Sequence, residues 1–294
     1  MSLLAELRAR FDELTAPPTP ALAVEIASGR AAAARMDSGQ VRAASRPLPA
    51  SAVTASAVKA NLNDAHAVAL QLRALLESMG GLGAEVTLLV PDLTARVSVL
   101  DFDLLPGRAD ELRALAHFRL RKSLPFADEQ MVLSCQRLSP TRLLVAFADR
   151  ARLAEYEDCL EAAGARAAIV LPSGLACLAA LPALHHGALL LRAEPGCLTS
   201  AFAWNGQPEF FRALELGAAA TFDDAFPSVA FFRDRVENAP LGPATADTPW
   251  RLVTSGLAPE LETRLADETP WATLQRAEST ENLAVTGAVR GRFA

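Results

Sequence analysis

Residues 85–126 read EVTLLVPDLTARVSVLDFDLLPGRADELRALAHFRLRKSLPF, and this stretch with its continuation to Gly164 decides the fold. Val86–Val90 and Ala95–Phe102 read as a pair of strands, broken by Pro91 and Asp92. An amphipathic helix follows from Ala109 to Ser123, with Leu112, Leu115, Ala116, Arg119, Leu120 and Ser123 around one stripe. It stops at Leu124-Pro125-Phe126, because a proline drives the residue before it out of helical geometry. Two further strands, Met131–Leu138 and Arg142–Ala148, lead into a helix that ends at Gly164. Together these elements form a small α/β module.

Working outward, Ala21–Ile26, Ala31–Met36 and Val41–Leu48 read as three strands. A helix then runs from an Asp64 cap through Ser78, stopped by Gly80 and Gly81. Beyond the module, the apolar run Ile169–Leu191 is interrupted by Pro172, Pro182, His185 and His186. A membrane-spanning helix needs about twenty uninterrupted apolar residues, so the run reads as strand, short helix, strand. From Gly187 the order repeats: strands Leu189–Ala193, Leu198–Trp204 and Glu209–Leu216, with Asn205-Gly206 as a hairpin turn. A helix over Asp224–Val236, a strand at Arg251–Thr254, a helix over Pro259–Ala266, a strand at Thr273–Gln275 and a closing helix over Asn282–Arg290 complete it. Three strands followed by a helix, seen twice, predict two related α/β halves. Ahead of all this, Leu3, Leu4, Leu7, Phe11 and Leu14 fall at helical spacing, and Pro17-Pro18-Thr19-Pro20 makes an extended spacer.

Composition narrows the function classes. The chain has 294 residues, 51% of them hydrophobic and 21% charged, which suits a well-buried globular protein. A net charge of −6 gives no electrostatic reason to expect nucleic-acid binding. Cys135, Cys159, Cys177 and Cys197 contain no Cys-x-x-Cys pair and read as buried free thiols, not metal ligands. No secretory leader is legible, and the expected location is cytoplasmic. The histidines His66, His117, His185 and His186 show no ligand spacing, and no Gly-x-Ser-x-Gly elbow occurs. No catalytic residue and no metal site are expected.

The order of elements, with Leu124-Pro125-Phe126 ahead of the acidic pair Asp128 and Glu129, resembles the PilM family of type IV pilus assembly proteins. These are actin-like proteins of the inner-membrane pilus platform, related to FtsA and to the cytoplasmic domains of GspL. The likeness covers Leu22–Leu216 and resumes over Val229–Gly291, where Gly287-Ala288-Val289-Arg290-Gly291 matches the family's final helix. It implies an actin-like, ribonuclease H-like fold of two halves with an inserted 1C-type subdomain. The implied division is 1–20 for the helix and spacer, 21–86 with 165–186 for the first half, 87–164 for the insert and 187–294 for the second half. The inserted subdomain of the second half, 2B, is reduced or missing, since Leu216-Gly217 runs within a few residues into the Phe226–Val236 helix.

The resemblance also places three nucleotide turns, in each of which glycine lets backbone amides approach phosphates and Asp organises the metal. In the first, Glu25 stands for Asp and Ala27 for Gly, followed by Ser28 and Gly29; a plain hairpin is the alternative. In the second, Arg192 replaces the Asp, and Pro195 removes an amide ahead of Gly196 and Thr199. The third retains only Gly256. Glu25, Ser28, Gly29, Gly196, Thr199 and Gly256 are therefore degenerate nucleotide-turn residues of a pseudo-ATPase that needs no cofactor. The family's partner is the short cytoplasmic tail of PilN, a membrane protein, for which Phe118, Arg119, Lys122 and Phe126 are the candidate contacts. An inert scaffold peripheral to the inner membrane is the leading expectation. A working ATPase that holds Mg-ATP and a GspL-like component of type II secretion are its rivals.

Overall fold

Leu22–Ala27 (β1), Arg30–Asp37 (β2) and Gln40–Pro47 (β3) form an antiparallel meander in the computed structural model, which describes residues 19–181, 187–204, 207–238, 250–277 and 279–291. The amphipathic segment at 1–14, Pro17-Pro18 of the spacer, Asn205-Gly206 and His185-His186 lie outside the described residues. The β1–β2 loop is Ser28-Gly29 and the β2–β3 loop is Ser38-Gly39. Ser38 and Gly39 both have positive φ, the geometry that matches a two-residue loop to strand twist.

Ala65–Met79 (α1) begins where the Asp64 carboxylate accepts the Ala67 N–H at 2.9 Å and ends at Gly80, which adopts φ +65°. Val68, Leu72, Leu75, Leu76 and Met79 form its buried stripe. Glu85–Val90 (β4) then pairs in parallel with β1, not with the strand that follows it. The expected strand pair is corrected here: Arg96–Asp101 (β5) belongs to a separate three-stranded sheet, because Pro91 and buried Asp92 carry the chain out of the first sheet. That sheet, in the order β5-β7-β6, uses Met131–Arg137 (β6) and Arg142–Asp149 (β7), and the helix Ala109–Leu120 (α2) covers one face. A single 3-10 turn, Arg121–Ser123, ends the helix before Pro125.

Arg150–Ala163 (α3), capped by Asp149 and Gly164, packs beside α1 through Tyr156, Cys159 and Leu160. Arg166–Pro172 (β8) completes the first sheet, β3-β2-β1-β4-β8. By sheet membership and packing, the insert is thus narrower than 87–164. Residues up to Val90 and from Arg150 onward belong with the first half.

Ser173–Ala180 (α4) leads to Ala188–Glu194 (β9), Cys197–Trp204 (β10) and Gln207–Glu215 (β11). Only residues 216–221 separate β11 from Phe222–Asn238 (α5), and Trp250–Ser255 (β12), Pro259–Glu268 (α6), Ala272–Arg276 (β13) and Leu283–Arg290 (α7) follow. The second sheet, β11-β10-β9-β12-β13, repeats the first in strand order and direction. The two halves are topological copies. The insert occupies the β4-to-α3 link, at the point where the second half passes from β12 to α6 through the short turn Gly256–Ala258.

Strand alternation sorts the core into layers. Val24 and Ile26 face α1 and α3, whereas Ala23, Ala32 and Ala34 face the middle layer. On β9, Leu189 and Leu191 face α5 and α6, and Ala188 and Leu190 face the middle. That middle layer is α4 and α7, which cross through Ala176, Cys177, Ala284 and Ala288. Small residues are required there: a Cβ on Gly287 would stand 1.9 Å from the Ala176 carbonyl oxygen. Gly287→Ala is expected to cost about 1–3 kcal/mol by forcing the helices apart, read as a melting point lower by a few degrees. An unchanged melting point would contradict this crossing.

Candidate functional site

The hairpins β1–β2 and β9–β10 are equivalent in the two halves and meet across the middle layer. Each has a two-residue loop with a glycine at positive φ, Ser28-Gly29 (φ +82°) and Pro195-Gly196 (φ +80°). Two residues before each loop-flanking position, Glu25 and Arg192 are counterparts. They are fully buried and they touch: Arg192 Nη2 donates to Glu25 Oε1 at 2.7 Å.

The pair is the centre of a larger network. Arg192 Nη2 also donates to Glu194 Oε1 at 2.6 Å, and its Nη1 lies 3.8 Å from Asp92 Oδ2. Arg30 donates to Glu25 Oε2 at 2.8 Å and to Glu194 Oε1 at 2.7 Å. Asp92, at the end of β4, accepts the Gly174 N–H at 2.7 Å and the Thr199 hydroxyl at 2.6 Å. The Thr199 bond ties the second half to the first. A Cβ on Gly174 would stand 2.7 Å from Asp92 Oδ2, so the start of α4 has to be bare backbone for this contact.

Burial would push the Glu25 carboxyl up, but Arg192 and Arg30 outweigh it and hold its pKa below the ordinary value. Asp92 behaves oppositely. Burial pushes it up to about 6, against the pull of Arg192, the Thr199 hydroxyl and the Gly174 amide. Two guanidiniums and three carboxylates carry a formal −1, and protonated Asp92 brings the set to neutrality.

A magnesium-bound nucleotide does not fit these residues. Both oxygens of Glu25 and both of Asp92 are already engaged by partners. A unit charge about 4 Å from a like charge costs about 4 kcal/mol at an effective dielectric of 20, and a divalent ion doubles that. Arg30 and Arg192 would impose this cost on a metal at Glu25. A phosphate placed there instead would meet Glu25, Glu194 and Asp92.

Of the six nucleotide-turn candidates, Glu25 and Thr199 enter the network. Ser28, Gly29 and Gly196 are loop residues beside it. Gly256 (φ +72°) sits where a Cβ would be 2.3 Å from the Ala193 carbonyl oxygen, a packing requirement between β12 and the β9–β10 hairpin. Arg30, Asp92 and Glu194 were not legible as a site. Asp92 read only as a strand breaker, and nothing in its local sequence signals Thr199.

On the insert, Phe118, Arg119 and Lys122 are exposed, with the Arg121 guanidinium 4.5 Å above the Phe118 ring. Phe126 is different: it is half-buried and packs on the insert's own core. Arg119, expected on the apolar stripe, points away from it. All four cysteines are free thiols, three of them buried. Among the described residues no group of side chains has the makings of a metal site, and no helix is long and apolar enough to cross a membrane.

No protein-family model matches the chain, and no curated protein matches it in sequence. Solved structures do. The PilM-PilN type IV pilus biogenesis complex aligns with a TM-score of 0.72 at 16% identity, over 93% of this chain and 98% of that one. A Bacteroides thetaiotaomicron protein of unknown function with an actin-like ATPase fold aligns with a TM-score of 0.57 at 7% identity, over 93% and 96%. The fold is actin-like. The cytoplasmic domain of EpsL, an inner-membrane component of the Vibrio cholerae type II secretion system, also aligns, with a TM-score of 0.55 at 14% identity, over 92% and 95%. The two-half reading of the sequence thus holds in three dimensions.

Proposed function

We propose that this chain is a nucleotide-independent, actin-like scaffold of a type IV pilus or related secretion platform, peripheral to the inner membrane. The observation that carries the reading is the Glu25–Arg192 pair. Two acidic residues at these equivalent positions would repel unless a cation lay between them. Opposite charges bind each other directly and hold the hairpins together with no ligand. In this reading the insert is the counterpart of subdomain 1C, and the short link 216–221 takes the place of a 2B wall, which would leave a nucleotide cleft open on that side. An open cleft gives a nucleotide too little enclosure.

The scaffold's partner is the cytoplasmic tail of a PilN-like membrane protein, docked on the exposed face of α2 through Phe118, Arg119 and Lys122. The pairing of a PilM with a PilN in the structure of highest similarity quoted above supports this choice. Phe126, committed to the insert core, contributes by holding the end of α2 and not by contact.

Two measurements test the proposal. Mg-ATP at millimolar concentration is expected to leave the melting point unchanged, whereas a ligand at 100 times its Kd would add about 2.7 kcal/mol of stability. A clear rise would favour the ATPase reading. Separately, a peptide copying the N-terminal tail of an adjacently encoded membrane protein is expected to bind. The double variant Phe118→Ala/Arg119→Glu should weaken it about tenfold or more. Binding indifferent to both changes would remove the α2 face from the site.

A further inference from the structure

The insert leaves the first half through the 91–95 link and rejoins it where β7 runs straight into α3. Both crossings are pinned. Thr94 is fully buried in the first, and its hydroxyl donates to Asn61 Oδ1 at 3.0 Å. The Tyr156 phenol of α3 donates to the same oxygen at 3.0 Å. At the second crossing the Asp149 carboxylate accepts the Ala151 N–H at 2.8 Å. The base of the insert is thus a joint of buried hydrogen bonds, costly to break because each partner would be left unsatisfied.

The insert's sheet is packed on both faces, as the period of two in its strands requires. Leu143, Val145 and Phe147 face α2. Val97 and Leu144 face the other way, into a buried cluster with Leu175 of α4, Ala201 of β10 and Phe211 of β11. Insert, middle layer and second half share one core at this point. A Cβ on Gly174 would stand 3.0 Å from the Phe211 ring and 2.7 Å from Asp92 Oδ2, so the cluster lies directly beside the charge network.

An ion pair closes the rim of this contact. The pairing of β10 with β11 passes from Phe202 opposite Phe210 to Ala203 opposite Pro208, which skips Glu209. A bulge of this kind re-aims the side chain of the extra residue. Here the Glu209 carboxylate accepts from Arg142 Nη1, while Arg142 Nε lies 3.3 Å from Asp101 Oδ1, its neighbour across β5 and β7. The Arg142 and Glu209 side chains are only 22% and 21% exposed, so water screens this pair less than a surface one.

We infer that the insert is a brace between the two halves, held at its base by the first and across its sheet by the second. A module attached at its base alone would swing on its two crossings. The Val97–Phe211 packing and the Arg142–Glu209 pair remove that freedom and set α2 at one angle to the second half. Whatever docks on α2 is then carried by both halves as one body. The brace does not rest on the tail-binding reading, because it acts with no partner present.

The test uses the full chain in a Cys135→Ser background, with spin labels at Glu129→Cys on the insert and Asp267→Cys on α6, both exposed positions. The other three thiols are buried and escape labelling. Double electron–electron resonance is expected to give a single narrow distance distribution. The variant Phe211→Ala/Glu209→Ala, which alters only the second half, should lose that narrow peak to a broad one. In the same variant without labels, hydrogen exchange of the β7 amides should quicken about tenfold or more relative to those of β1. Circular dichroism checks that the variant folds, and the milder Arg142→Ala should broaden the distribution in the same sense. A broad or two-peaked distribution in the parent would overturn the proposal, whatever the variants do. So would a distribution as narrow in the folded double variant as in the parent, or β7 exchange unchanged relative to β1.

Discussion

Arg192→Met is expected to destabilise the protein by about 3–5 kcal/mol, the cost of leaving buried carboxylates without their countercharge. In a protein of this size the loss reads as a melting point lower by roughly 10 °C. The removed guanidinium bonds Glu25 and Glu194 and faces Asp92, all three at most slightly exposed, while Arg30 at the margin can serve only part of the deficit. The double replacement Glu25→Leu/Arg192→Met should recover most of the loss. It leaves the Arg30–Glu194 pair intact and Asp92 with its two hydrogen bonds. A double-mutant cycle thus isolates the Glu25–Arg192 coupling. A single variant within about 1 kcal/mol of the parent would mean that the pair does not hold the halves together, and the ligand-free clasp would fall with it.

The second large effect is a pH dependence. Asp92 titrates near 6 in the folded protein against an unfolded value of 3.8. A carboxyl raised on folding binds its proton more tightly in the native state, so stability falls as pH rises through the window from about 4 to about 6. The full swing is about 3 kcal/mol at most. Glu25, lowered on folding, works in the other direction: its contribution is present above its unfolded value of 4.5 and is lost as pH falls through the folded one. From these two groups stability is therefore expected to peak near pH 4 and to decline until it levels off above about pH 6. Asp92→Asn should flatten that decline and equal or exceed the parent at pH 7.5. The amide oxygen can still accept the Gly174 N–H, and the Thr199 oxygen can accept from the new NH₂ group. A variant that keeps the parent's slope between pH 5 and 7 would assign the titration elsewhere.

Much of the fold was legible because its signals are local. Asp64 and Gly80 mark α1, Gly164 ends α3, and Pro125 stops the insert helix, each through backbone chemistry that neighbours cannot override cheaply. The duplication was legible as element order. What misled was adjacency: Val86–Val90 and Ala95–Phe102 follow one another as strands, but which sheet a strand joins depends on partners distant in sequence. Phe126 shows the same limit at residue level, since an aromatic after a helix stop reads alike whether it points inward or outward.

From the sequence alone, opposite charges could be placed on the two degenerate turns, because Glu25 and Arg192 sit at fixed offsets from their loop glycines. That fact already disfavoured a shared metal. Only the tertiary structure decided that the two side chains meet, that Asp92, Arg30 and Glu194 join them, and that Glu25, Arg192 and Asp92 are closed off from water. Contact across the junction of the two halves depends on how their sheets stack on α4 and α7. The pKa of Asp92 depends in turn on the desolvation that this stacking imposes, a property of the whole molecule that is absent from any stretch of chain.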